Sequence, residues 1–445
     1  MASRTAPVLD TRALNRATLA RQLLLSRAEM SAGDAVAHLL GLQAQNVKPP
    51  YFQLHARLAG FRPAELAGLM ESRQVVRMVT MRSTIHTHTA DDALTLRPLV
   101  QAARDREVNQ FRKGLVGVDL DRLALDARAF VEAEPRTMGE IREELLKEWP
   151  EADPQSLSVA ARCLLPLVQV TPRGVWGRSG QVRLTTVENW LQRPVGKARS
   201  VGGARSVGEA RSVGEARSVD GVVLRYLGAF GPASVKDMQT WAGLTRLKES
   251  FERLRPRLLT FRDENGVELF DLPDAPRPDA GTAAPPRFLP EFDNLLLSHA
   301  DRSRVIAPEL KGRTWTGNQA HRVLLLDGFL GGLWKADAGV LTVELLGPAS
   351  RARKEEIVAE GEALLADMAD TPAGAPAGTG ADTPAGTGAG AGVDTPAGTS
   401  ARTGAGAGAG TGVVPPGGPG VTSSAGAVPV PADGPRRVRF GSIRG

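Results

Sequence analysis

The sequence predicts an α+β protein: three tandem winged-helix modules, a small β-rich domain resembling a partial barrel, and a low-complexity tail. Three observations predict it. Apolar residues at helical spacing give way to paired strand-like runs three times before residue 275. Strand-like runs then continue over 285–369 without that helical prelude. The remainder, 370–445, is mostly Ala, Gly, Thr and Pro, with too few apolar side chains to offset the entropy of ordering.

The first module spans 8–115. Leu14 to Leu25 carries apolar residues at helical spacing, and Ser31 is placed to cap a helix running through Leu42. Pro49-Pro50 opens a helix over Tyr51 to Leu58, and Pro63 to Ser72 forms another. Val75 to Val79 and Ser83 to His88 flank a turn as a hairpin. Helices followed by a hairpin are the plan of a winged helix.

The second module, 116–195, repeats this plan. Thr137 caps Met138 to Trp149, and Asp153 or Ser156 starts a helix through Leu165. Leu167 to Val170, Arg173 to Trp176 and Val182 to Leu184 supply strand and wing. Over 196–220, Ala-Arg-Ser-Val-Gly recurs at Ala198, Ala204 and Ala210, a period too short for a helical solenoid, and reads as a flexible insertion. The third module, 221–275, has helices at Val222–Ala229, Ser234–Ala242 and Thr245–Leu254. Strands at Leu258–Arg262 and Val267–Phe270 meet through a turn containing Asn265-Gly266, a hairpin signal.

In the β-rich domain, strands are expected at Arg287–Pro290, His321–Asp327, Leu330–Lys335 and Val340–Leu345, before an amphipathic helix from Lys354 to Met368. The tail repeats Asp-Thr-Pro-Ala-Gly at Asp370, Asp382 and Asp394, and ends in a basic tip, Arg436 to Phe440, expected to be untethered.

The net charge of +6 favours anionic partners. A lone cysteine, Cys163, excludes an internal disulfide framework and sits in an apolar stretch as a buried thiol. The N-terminus lacks the apolar core of a signal peptide, and no apolar run is long enough to span a bilayer. The expectation is a cytoplasmic, nucleoid-associated protein bound to double-stranded DNA, without cofactor or metal. Three winged helices can follow a duplex, with loop cations neutralising phosphates. Candidate contacts are Arg77, Arg82 and His86 in the first hairpin, Arg173 and Arg178 in the second wing, and Arg246 and Lys248 at the third recognition helix. In His299-Ala300-Asp301-Arg302-Ser303-Arg304, either Arg302 or Arg304 binds phosphate or an Asp–Arg pair fixes the loop. His86 and His88 alternate like metal ligands, but no third ligand is evident, and packing or a phosphate contact explains them better.

The segment Gly41-Leu42-Gln43-Ala44-Gln45-Asn46 clusters three amides at a helix end. Turn chemistry accounts for Asn46 but less well for two glutamines. Several motifs in order, Gly41 to Gln45, Pro50-Tyr51, Arg57-Leu58, Met81 to His86, Leu289 to Asn294 and His299 to Arg304, resemble those of the AlkZ/YcaQ-like bacterial DNA glycosylases. The resemblance covers nearly all the foldable chain. It implies three tandem winged helices closed by a β-rich domain around DNA, and removal of bulky N7-alkylated purines, including unhooking of interstrand crosslinks. It also implies a Gln-x-Gln catalytic motif, matched by Gln43 and Gln45, acting in a monomer on damaged duplex. The Arg-Ser-Val-Gly insertion and the long tail depart from the family plan. Neutral amides suit such a substrate. An N7-alkylated purine is already cationic and leaves without strong acid help, while an amide can hold a water and stabilise an oxocarbenium-like sugar. The competing expectation is a winged-helix DNA binder without catalysis, such as a transcription regulator, or a protein-contact scaffold.

Overall fold

A computed structural model describes residues 6–194, 218–316, 319–368 and 437–443. Most of the Ala-Arg-Ser-Val-Gly insertion and of the Ala/Gly/Thr/Pro tail lies outside the described residues. The fold is mixed α+β.

Helix α1 (Thr11–Arg21) is capped by Asp10, which accepts from Ala13 N at 2.6 Å. Ser31 caps α2 (Ala32–His38) as expected, but this helix stops short of Leu42. Leu40 and Gly41 take left-handed backbone, φ 57° and 94°, and turn the chain into β1 (Leu42–Gln43). Gly41 is required there, since a Cβ would lie 2.2 Å from His88 Nδ1. Helices α3 (Pro49–His55) and α4 (Pro63–Glu71) precede the hairpin of β2 (Val75–Val79) and β3 (Ile85–Thr89). The helices α5 (Ala90–Leu99), α6 (Gln101–Gln110) and α7 (Leu120–Ala133) have no counterpart in the sequence expectations.

Thr137 caps α8 (Met138–Glu148) in a reciprocal pair with Glu140, and Asp153 rather than Ser156 caps α9 (Pro154–Leu164). Strands β4 (Leu167–Gln169) and β5 (Leu184–Thr186) follow, then α10 (Val187–Leu191). The expected strand at Arg173–Trp176 is a turn instead. It packs by its backbone: Gly174 has φ 95°, and its carbonyl accepts from Tyr51 Oη at 2.7 Å. Strands expected in separate modules share one five-stranded sheet, ordered β1-β3-β2-β4-β5, because β2 pairs with β4.

The third segment begins earlier than expected. Ser218, within the last repeat, caps α11 (Val219–Phe230). Helices α12 (Val235–Ala242) and α13 (Lys248–Leu254) and the hairpin β6 (Leu259–Arg262)–β7 (Glu268–Asp271) complete it around a core of Tyr226, Phe230, Trp241 and Phe251.

The last segment contains β8 (Arg287–Leu289), the small pair β9 (Trp315–Thr316) and β10 (Gln319–Ala320), then β11 (Arg322–Leu326), β12 (Phe329–Asp337) and β13 (Val340–Leu345). Helix α14 (Arg351–Asp367) buries Ile357 and Leu364 in a cluster with Phe288 and Trp334. The basic tip is not untethered: Arg437–Phe440 forms β14, parallel to β13, giving a sheet ordered β14-β13-β12-β11-β8.

Buried polar contacts tie the last segment to the first. Arg57 donates to both carboxylate oxygens of Asp293 at 2.8 and 2.7 Å, with neither side chain exposed. Asn15 Nδ2 donates to the carbonyls of Arg304 and Gly328. These ties place the loop 290–294 against the end of β1.

Candidate active site around Gln43 and Arg82

Strand pairing assembles the site. Gln43 lies directly across from His86, and His86 in turn opposite Met78, so these residues share one face of the sheet. Arg77 pairs with Thr87 and Gln169 and occupies the other face.

Gln43 is 4% exposed and is held from three directions. Its backbone N–H donates to Asn294 Oδ1 at 3.3 Å, and its carbonyl accepts from Gln53 Nε2 at 2.9 Å. Its side-chain Oε1 accepts from Arg82 Nη2 at 2.5 Å. No carboxylate is among these partners. Asn294 also donates from Nδ2 to Gly41 O at 2.7 Å, so one amide clamps both sides of Leu42. Gln45 is different: it is exposed, and its Oε1 stands 3.4 Å from Ile85 N. Asn46, expected to serve the turn, donates to Glu291, which also accepts from Arg322.

Arg82 sits in the short 3-10 turn Met81–Ser83 with left-handed backbone, φ 53°. Its Nη1 donates to Trp241 O on α12, and its Nη2 approaches His86 Nε2 at 3.3 Å. Gly243 backs it closely, since a Cβ there would lie 3.0 Å from Arg82 N. Burial, and then the neighbouring positive charge of Arg302, lower its guanidinium to about 10, so it remains charged at neutral pH.

His86 is neutral. Burial, then Arg82 and His88, hold its pKa well below the ordinary value. Its Nδ1 lies 3.0 Å from Thr84 O and donates to it, which leaves Nε2 as the acceptor facing Arg82. His88 stacks on His86 with ring centroids 5.5 Å apart, and burial lowers it to about 4. Among the described residues no three His, Cys, Asp or Glu side chains converge to hold a metal.

Several expected DNA contacts point inward. Arg77 is 2% exposed; its Nη2 donates to Ala44 O at 2.8 Å and its Nε to Gln169 at 3.3 Å. Burial, then Arg173, lower it to about 10. Arg77 therefore supports the Gln43-Ala44-Gln45 backbone from below. Arg304 is buried and donates to Thr18 and Pro232 O, and His86 is buried in the sheet. His299, also buried, bonds to Phe230 O. Arg173 is half-buried and donates to Gly180 O at 3.4 Å. Arg178, Arg246, Lys248 and Arg302 are exposed, with Arg178 paired to Glu71 at 3.2 Å.

Sequence reasoning missed Gln53 as a holder of Gln43. The available signal was a glutamine between apolar residues on α3, whose neighbours Tyr51, Phe52 and Leu54 are all buried.

The motifs that looked separate in the sequence thus converge on one place: Gln43, Arg82 with His86, Arg57 with Asp293, and Asn294. A solved structure, the Streptomyces sahachiroi DNA glycosylase AlkZ, is similar with a TM-score of 0.65 and 19% identity, over 81% of this chain and 97% of that one. At that identity the likeness concerns the fold. No protein of curated function matches the chain. The model of the AlkZ-like DNA glycosylase family matches residues 36–366, a span that includes every residue of the cluster. The chain belongs to the AlkZ-like DNA glycosylase family.

Proposed function

We propose that this protein is a monofunctional glycosylase that excises bulky N7-alkylated purines from duplex DNA and unhooks crosslinks of that chemistry. It acts as a monomer, with Gln43 and Gln45 as its catalytic residues. The observation that carries this reading is the fixing of Gln43: a nearly buried neutral amide, gripped by side chains from three elements, with no carboxylate among its hydrogen-bond partners in the described residues. Such preorganisation matters when charge develops at a reacting centre. A site built on amides lacks a general base of carboxylate strength. It therefore suits a base that already carries positive charge and a glycosidic bond that is already weak. The attacking water needs orientation and the oxocarbenium-like sugar needs a nearby dipole. Exposed Arg178, Arg246, Lys248 and Arg302 supply phosphate contacts in the winged-helix arrangement of the three modules.

The test uses a duplex carrying one N7-methylguanine, or a nitrogen-mustard crosslink, followed by alkali. Scission at the lesion by the wild-type chain is expected, with a loss of about 10²-fold or more in Gln43→Ala/Gln45→Ala. Intact strands, together with tight sequence-specific binding to undamaged DNA, would instead identify a regulator.

A further inference from the structure

A guanidinium carries only N–H donors and no acceptor. The atom of the Gln43 side chain that faces Arg82 is therefore its oxygen, and its amide nitrogen points elsewhere. The backbone N–H and carbonyl of Gln43 are already taken by Asn294 and Gln53. Among the described residues Nε2 has no partner, and it is the one polar group Gln43 has left to offer. The contacts behind it diverge from Arg82, which donates on both sides. His86 Nδ1–H donates to Thr84 O, His86 Nε2 accepts from Arg82, and Arg82 donates to Gln43 Oε1. Every link is consistent with a neutral imidazole and a charged guanidinium. Arg82 is itself immobilised by Trp241 O, by its position in the 3-10 turn and by the close backing of Gly243. Gln45, by contrast, is exposed, with only a long contact from Ile85 N on its Oε1.

We infer that Arg82 is a positioning residue that gives the two glutamines opposite tasks: Gln43 is a hydrogen-bond donor to the departing purine, and Gln45 is the acceptor that orients the attacking water. The inference rests on the glycosylase reading above. In the step, the water oxygen bonds to C1′ as the N9–C1′ bond breaks. The bonding pair passes to the purine and cancels its positive charge. One water proton is released to solvent, leaving a neutral N7-alkyl purine and an abasic sugar with a C1′ hydroxyl. Nε2 of Gln43 stabilises the ring electron density that appears as the pair arrives. The two amides are not interchangeable: Arg82 already takes one lone pair of Gln43 Oε1 and turns the Gln43 N–H groups away from itself, whereas Gln45 Oε1 carries only the long contact from Ile85 N.

Carboxylate substitutions separate the two tasks. In the full chain, Gln43→Glu keeps an acceptor for Arg82 but has no N–H to offer, whereas Gln45→Glu keeps the acceptor that holds water. Single-turnover excision of N7-methylguanine is expected to fall about 10²-fold in Gln43→Glu, and to stay within about tenfold of wild type in Gln45→Glu. Arg82→Ala should lower the excision rate about tenfold or more while leaving duplex affinity within a few-fold, and Arg82→Lys should restore part of the rate. Excision by Gln43→Glu at the wild-type rate, or by Arg82→Ala at the wild-type rate, would overturn the inference. A readout independent of turnover is the side-chain amide resonance of Gln43. It should be distinct in the wild-type chain and should shift and broaden in Arg82→Ala; an unchanged resonance would overturn the positioning role. Absence of excision by the wild-type chain would sink the glycosylase reading itself, and the resonance would still report whether Arg82 holds Gln43.

Discussion

The first hairpin, β2–β3, and the third, β6–β7, share a strand–turn–strand plan and differ in what surrounds them. The first lies inside a five-stranded sheet, with Arg77, His86 and His88 all buried. The third is a two-stranded ribbon in which Arg262 and Glu268 are exposed, with Arg255 bonded to both Glu252 and Glu268 at the surface, while of its polar side chains only Asp271 at its end is buried, against Arg21. In the first hairpin polar groups are desolvated and most are fixed by internal partners, although among the described residues Arg77 Nη1, Thr87 Oγ1 and His88 Nδ1 have none. At the exposed positions of the third they exchange with water, and ion pairs such as Arg255–Glu268 carry little free energy. The difference teaches that a hairpin becomes a framework for chemistry when its polar residues lose solvent, not when it merely presents basic ones.

The largest effect that would sharpen this contrast is acid lability. His88 is neutral in the fold, lowered to about 4 from an unfolded value near 6.5, chiefly by burial and not by a partner. Between those values the unfolded chain takes up a proton that the folded chain refuses, so stability is lost as pH falls from about 6.5 toward 4. The loss from His88 alone is roughly 3 kcal/mol at its limit. His299, lowered to about 3 by burial and then by Arg304, adds in the same direction. Denaturant titrations at pH 7 and pH 4.5 measure this, and the slope should be smaller in His88→Asn. Equal slopes would mean that the first hairpin's burial does not matter in this way.

A second effect concerns Arg77. Its burial costs stability, yet it holds Ala44 O beneath the two glutamines. Arg77→Met should leave the unfolding free energy within about 1 kcal/mol of wild type, because a desolvated charge is replaced by an apolar chain of similar length. Excision should nonetheless drop about tenfold as the Gln43-Ala44-Gln45 backbone loosens. The matched change on the third hairpin, Arg262→Met, removes only a surface contact to Gly266 O and should alter neither quantity measurably. Equal behaviour of the two variants would break the comparison.

The smallest effects belong to exposed cations. Arg246→Ala or Lys248→Ala should weaken duplex binding a few-fold and lower the slope of log affinity against log salt by about one each, without sequence dependence. Steeper losses confined to one sequence would point to base contacts instead.

Much of the secondary structure is legible in the sequence because its signals are local. Thr137 with Glu140, Ser234 before α12 and Asn265-Gly266 at the third turn act over a few residues, and the helices and hairpin they mark are present. The pairing of β2 with β4 joins residues about ninety positions apart and leaves no local trace. Helix α5 is obscured by Pro98 within it, and α7 by a charged surface that hides its apolar Leu123, Ala127 and Val131. At the site, the glutamine pair stands out as chemistry, but its holders do not: Asn294 lies 251 positions from Gln43. The buried arginines are the least legible residues. Arginine is usually exposed, which is why Arg77 and Arg304 look like phosphate contacts in the sequence. A planar guanidinium can also satisfy buried carbonyls, and that use leaves no mark in composition or spacing.

The pairing of β14 with β13 has a practical consequence. A chain cut after Met368 to remove the low-complexity tail would also lose Arg437–Phe440. The cut would strip the partner from Val340–Val343 and leave a row of open backbone groups beside the apolar Leu341 and Val343. Such a bare edge recruits strands from other molecules. Shortening the tail internally, with its last residues retained, should give protein that stays dispersed where simple truncation self-associates.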